Sequence, residues 1–191
     1  GPAMRFRGGT AFPGNMALGA TGRELDAYQV GRVTAVEGRA IGVHWDFAPV
    51  VDVNNNPRHP IINTRSFGED PRRVADLGVA FVRGLEEHGM MATAKHFPGH
   101  GDTGTDSHVA VPVIAVGRER RDSLELTPFR AAVRAGVNAV MTAHVAVPSL
   151  TTPIPEGLAA PDLAPQSPEA SPALPAAPLA QAAAETAPDA P

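Results

Sequence analysis

Three apolar stretches, each closing on polar residues, set the strongest limit on how this chain can fold. Residues 44–53 (HWDFAPVVDV) read as a buried strand that ends on Asp52. Residues 90–97 (MMATAKHF) read as a strand that runs into the turn signal Pro98-Gly99, and residues 137–144 (VNAVMTAH) as a strand that ends on His144. Helical text lies between them. Residues 23–41 put Leu25, Tyr28, Val33 and Val36 roughly on one face. Residues 70–88 open on Asp70-Pro71, a capping side chain followed by the residue best suited to a first helical position. Val74, Leu77, Phe81, Val82 and Leu85 give that helix its apolar face, and Gly89 ends it. Residues 119–135 read as a further helix. Strands that alternate with helices pair in parallel. The polar residues after each strand (Asp52, then Lys95-His96, then His144) fall where doubly wound sheets and (β/α)8 barrels both keep their ligands.

A chain of 191 residues is long enough for one domain with a real core. It has no cysteine, so disulfides and thiolate metal sites are excluded. A net charge of −4 argues against nucleic acid or an acidic membrane as the main partner. No apolar run approaches the ~20 residues of a membrane-spanning helix. Composition changes sharply near residue 150. Residues 151–191 carry half of the 20 prolines, no aromatic residue and no Lys or Arg. Such a segment cannot bury enough apolar surface to offset its ordering entropy. It reads as a disordered tail or a Pro/Ala linker. The preference for Arg over Lys, with abundant Ala, Gly and Pro, points to GC-rich coding DNA, in which a frameshift would produce similar text. The expected organisation is a folded domain over 1–150 followed by a low-complexity tail over 151–191.

Residues 95–108, KHFPGHGDTGTDSH, carry the densest chemistry. They contain the only lysine, Lys95, three of the seven histidines, His96, His100 and His108, and the carboxylates Asp102 and Asp106. Lys95 and His96 sit at a strand end, able to point donors into a pocket. The glycine-rich loop 99–104 is expected to move. Asp106 and His108 are two residues apart, so the carboxylate can orient the imidazole. A histidine so oriented is a competent general acid/base near neutral pH. A metal site built from His96, His100, Asp102, Asp106 and His108 is a competing reading, but the spacing matches no known signature. A phosphate cradle is another, although the glycines follow a strand end and do not open a helix.

The pattern K-H-F-P-G-H-G-x4-D-S-H resembles the signature of glycoside hydrolase family 3, in its β-N-acetylglucosaminidase branch. RGGTAFPGNMALGAT at 7–21, FAPVVDVNNNP at 47–57, RSFGEDP at 65–71 and AVMTAHV at 139–145 are similar to that family's other blocks. The resemblance implies a partial (β/α)8 TIM barrel, holding about strands three to five and their helices. It implies a retaining exo-glycosidase acting on terminal β-linked N-acetylglucosamine, as in peptidoglycan fragments or chitooligosaccharides, with no cofactor and no metal.

Position by position, His108 matches the family's general acid/base and Asp106 its dyad partner. Lys95 and His96 match the pair that holds sugar hydroxyls. Arg65 matches an arginine that contacts the sugar, and Arg5 an arginine near the family's D-Q-E-G-G segment. Rigid guanidinium forks and a three-donor ammonium suit a polyhydroxylated ring. For Asp52 and His144 a structural hydrogen-bonding role is as well supported as sugar contact. The family nucleophile, an aspartate on a later strand, has no counterpart; Asp162 and Asp189 lie in the Pro/Ala text. Two other readings follow: a catalytically dead fragment with a partial sugar-binding face, or a β-glucosidase of the same family. Three or four βα units leave open parallel edges, so the isolated chain is expected to be marginally stable.

Overall fold

The computed structural model describes residues 6–57, 59–103 and 111–148. In chain order these form α1 (Asn15–Thr21), α2 (Glu24–Ala40), a 3-10 turn (Asn63–Arg65), α3 (Pro71–Glu86), β1 (Thr93–Phe97), α4 (Arg118–Ser123), α5 (Leu126–Arg134) and β2 (Ala139–Thr142). The fold is α/β, and β1 and β2 pair in parallel, with Thr93 opposite Ala139 and Lys95 opposite Met141.

The expected strand over 44–53 takes a different form. It is not a continuous strand but runs beside β1 through two parallel bridges, Trp45 with Met91 and Val50 with Lys95. Its backbone is still tied across: Thr93 N–H donates to Ala48 O at 2.8 Å and Val51 N–H to Lys95 O at 2.8 Å. Pro49, in the middle, has no N–H to give, which interrupts the regular ladder.

α3 forms as its sequence dictates. The Asp70 carboxylate accepts the N–H groups of Arg72 at 2.8 Å and Arg73 at 3.1 Å, and Pro71 stands at the first helical position. The apolar face expected for it is the buried face: Val74, Leu77, Phe81, Val82 and Leu85 are all core residues. Each such side chain contributes about 1.5–3 kcal/mol on burial.

The face expected for α2 is not the one it buries. Leu25 and Val36 are exposed, and the helix turns Ala27, Val30, Gly31, Thr34, Ala35 and Gly38 inward. Small residues win because α2 crosses α3 almost in backbone contact. A Cβ on Gly31 would stand 2.4 Å from Phe81 O, and one on Gly84 would stand 2.2 Å from Tyr28 O. Larger residues facing α3 would force the helices apart, so the apolar bulk on α2 is left outside.

The helix expected over 119–135 is two helices, α4 and α5. Pro128 explains the break. In one continuous helix its ring would crowd the carbonyl of Leu124 and return no N–H to it, so the hydrogen-bond ladder breaks at 124–125 although both residues keep right-handed dihedrals.

Candidate functional site

The site grows from one buried carboxylate. Asp52 follows the segment beside β1, is fully buried, and faces the end of that strand. Its Oδ2 lies 2.7 Å from His96 Nδ1. The same carboxylate accepts the backbone N–H of His96, 3.2 Å from each oxygen, and that of His100 at 2.7 Å. The peptide bonds Lys95–His96 and Phe97–Pro98 are cis. With Nδ1–H committed to Asp52, the ring atom that His96 keeps for a ligand is Nε2. Asp52 thus has the structural hydrogen-bonding role.

Lys95 and Arg65 line one cavity of about 380 Å³, together with Asn15, Asp46, Phe47 and Phe6. The two cations come from different elements, Lys95 from β1 and Arg65 from the end of the 3-10 turn. That turn is held in place by Asn15, whose Nδ2–H donates to Arg65 O at 2.9 Å. Among the described residues no carboxylate pairs with the Arg65 guanidinium. Expected candidates Arg5, Asp106 and His108 lie outside the described residues, as does the segment 151–191. His144 is exposed just beyond β2. Among the described residues no group of His, Asp and Glu is arranged to hold a metal ion.

The first part of the glycine-rich loop, Pro98–Thr103, is packed down. Pro98 to Gly101 and Thr103 are buried. Gly101 presses on the end of the 44–53 segment: a Cβ there would stand 1.8 Å from Val53 O, so only glycine fits. Asn56 Nδ2–H donates to Thr103 O at 3.3 Å, and Arg120 reaches Asp102 at 3.1 Å.

Two residues at this loop had no signal in the sequence reading. His59 is buried against His100 and Thr103; it stands between the sequence blocks at 47–57 and 65–71 and belongs to neither. Glu125 is buried beneath the loop, where a Cβ on Gly99 would stand 2.7 Å from its own Cβ. Neither Glu125 oxygen has a hydrogen-bond partner among the described residues, and Arg120 is 3.8 Å away. Burial pushes the Glu125 carboxyl above the usual range. Its position became visible only once the expected helix proved to be broken beside it.

Residues 1–161 match the family described as the glycosyl hydrolase family 3 N terminal domain. The chain belongs to glycoside hydrolase family 3. It is 42% identical over 145 residues to "Beta-hexosaminidase A" of Pseudoalteromonas piscicida, covering 74% of this chain and 24% of that protein. Among solved structures, it is similar to a family 3 β-N-acetylglucosaminidase from Paenibacillus sp. str. FPU-7, with 51% identity and a TM-score of 0.74, over 76% of this chain and 28% of that one. NagZ from Neisseria gonorrhoeae in complex with N-trifluoroacetyl-D-glucosamine superposes with a TM-score of 0.73 at 38% identity, over 77% of this chain and 45% of that one. The chain therefore spans between about a quarter and about a half of the length of these relatives.

Proposed function

We propose that this chain is part of a retaining exo-glycosidase that releases terminal β-linked N-acetylglucosamine. Lys95, His96, Arg65 and Arg5 hold the sugar, and His108, oriented by Asp106, is the general acid/base. Residues 1–150 supply about strands three to five of a (β/α)8 barrel, and residues 151–191 are a low-complexity tail in sequence. The observation that carries this reading is the meeting of Lys95 and Arg65 on one cavity, beside a His96 ring fixed by Asp52. Fixed donors on one wall suit a ring bearing several hydroxyls.

The chemistry is a double displacement. A carboxylate from outside the residues assigned here attacks the anomeric carbon. The bond to the aglycone breaks, and His108 gives its proton to the departing oxygen. In the second step His108 takes a proton from water, whose oxygen attacks the anomeric carbon and frees the carboxylate. A histidine serves both steps because its ordinary pKa lies near neutrality.

The test, made on the complete enzyme, compares N-acetylglucosaminides that have activated and unactivated leaving groups, with the matching glucosides as controls. His108→Ala should lower turnover of the unactivated substrate by about 10²–10⁴-fold and that of the activated one far less. Equal losses on both substrates would remove His108 from the acid role. Faster turnover of the glucosides would favour a β-glucosidase.

A second reading, resting on the meeting of Lys95 and Arg65 on one cavity alone, is a sugar-binding face without turnover. N-acetylglucosamine binding by a complete protein that is inactive on every chromogenic substrate supports that reading.

A further inference from the structure

The described part of the glycine-rich loop leads directly into residues 104–110, where Asp106 and His108 lie. One imidazole from outside the loop reaches three of its atoms. His59 Nε2 lies 2.6 Å from His100 O, 2.8 Å from Thr103 Oγ1 and 3.2 Å from His100 Nδ1. The other ring nitrogen is already committed. His59 Nδ1 accepts the backbone N–H of Ile61 at 3.0 Å and of Ile62 at 2.9 Å. Two donors aimed at Nδ1 leave no place there for a proton, so the neutral ring carries its hydrogen on Nε2, with His100 O as the acceptor.

The ring is 1% exposed, and Ile62 beside it is equally buried. Burial pushes the His59 pKa below the ordinary histidine value. The His100 ring and the Arg65 guanidinium act in the same direction, while the His100 carbonyl and the Asp52 carboxylate oppose it.

We propose that His59 is a positioning residue: while neutral it fastens the Pro98–Thr103 loop that leads to Asp106 and His108, and when protonated it lets that loop go. Protonation puts a hydrogen on Nδ1, facing two backbone N–H groups with no acceptor between them. The 59–62 turn must then give up those bonds, and Nε2 leaves His100 O with it. The consequence for catalysis rests on the reading of His108 as the acid/base; the fastening itself does not.

Hydrogen exchange on the 191-residue chain reads the fastening without any turnover. The peptide spanning 96–103 reports the loop, and the peptide spanning 74–85 of α3 is the internal reference. His59→Gln keeps a donor where Nε2 stands and loses the Nδ1 acceptor. His59→Asn keeps an acceptor where Nδ1 stands and loses the donor. Neither variant titrates.

Loop protection in the wild type, corrected for intrinsic exchange, should fall about tenfold or more between about pH 7.5 and about pH 5, with α3 unchanged. His59→Asn should be weakly protected at both pH values, and His59→Gln should lose the pH dependence. Wild-type protection that stays flat with pH, or that matches His59→Asn throughout, overturns the proposal.

If either variant loses α3 protection, ¹⁵N imidazole spectra of the wild type decide. A proton on Nε2 at neutral pH, with His59 titrating together with the loss of His100 amide protection, supports the fastening. A proton on Nδ1, or titration that leaves that amide protected, refutes it. A complete enzyme that shows the fastening but no N-acetylglucosaminidase activity would discard the enzyme reading alone.

Discussion

The buried carboxylate of Asp52 stands 2.7 Å from Nδ1 of His96, and it also takes the backbone N–H of His96 and of His100. One side chain therefore orients the ring next to Lys95 and holds down the start of the loop after β1. Charge-assisted hydrogen bonds of this kind are the strong ones, and removing the acceptor strands every donor at once.

Asp52→Ala should accordingly destabilise the chain by about 3 kcal/mol or more, because three donors lose their acceptor in a dry site. Asp52→Asn should cost roughly half as much, since one oxygen remains. Urea unfolding of the three proteins measures both, and a loss under ~1 kcal/mol in Asp52→Ala would deny the carboxylate this role.

The α2–α3 crossing gives a second expectation. At Gly31 and Gly84 an added methyl meets backbone atoms of the other helix, 2.4 Å and 2.2 Å away, and backbone cannot swing aside as a side chain can. Gly31→Ala and Gly84→Ala should each destabilise by about 2–3 kcal/mol, although alanine is the better helix former. A rise in melting temperature in either variant would show that the helices can separate at little cost.

For the cavity, Lys95→Ala and Arg65→Ala should each weaken N-acetylglucosamine binding by roughly tenfold or more, since a hydrogen bond from a charged donor contributes about 1.5–3 kcal/mol. The unfolding midpoint should change little for Arg65, which is exposed. Titration of the sugar by calorimetry or by chemical-shift change gives the comparison. Unchanged affinity in both variants would move the sugar elsewhere.

Glu125 supplies a pH dependence with a definite sign. Its folded pKa is raised by burial, so the folded chain holds this proton to higher pH than the unfolded chain does. Stability is therefore lost as pH rises from the unfolded carboxyl value, near ~4.3, through the raised folded value. Glu125→Gln should be more stable than the wild type at neutral pH, by on the order of 1 kcal/mol, with the advantage shrinking toward pH ~4. Denaturation midpoints across that range test it; a constant offset would mean that the carboxyl is not the titrating group.

The parts of this molecule that were legible in the sequence share a property: their signal is local. Asp70-Pro71 caps α3, and the face of that helix follows from spacing alone. Lys95 and His96 sit at the end of β1 because an apolar run meets Pro98. Two of the misread parts depend on partners far along the chain. The inward face of α2 is chosen by the approach of Gly84, which the α2 sequence does not record. Pro128 was present to break the helix at 124–125, but the apolar text on both sides of it masked the stop. His59 carries no local signal between the blocks at 47–57 and 65–71; its contacts come from His100, across the site.

The contact of Gly101 with Val53 O has a consequence for how such a site can diversify. The loop is referenced to main chain, and a carbonyl is present whichever residue occupies position 53. Exchanges among neighbouring side chains can reshape the cavity while the loop keeps its origin. Cavity lining and loop placement are thereby separable, and the first can change while the second stays put.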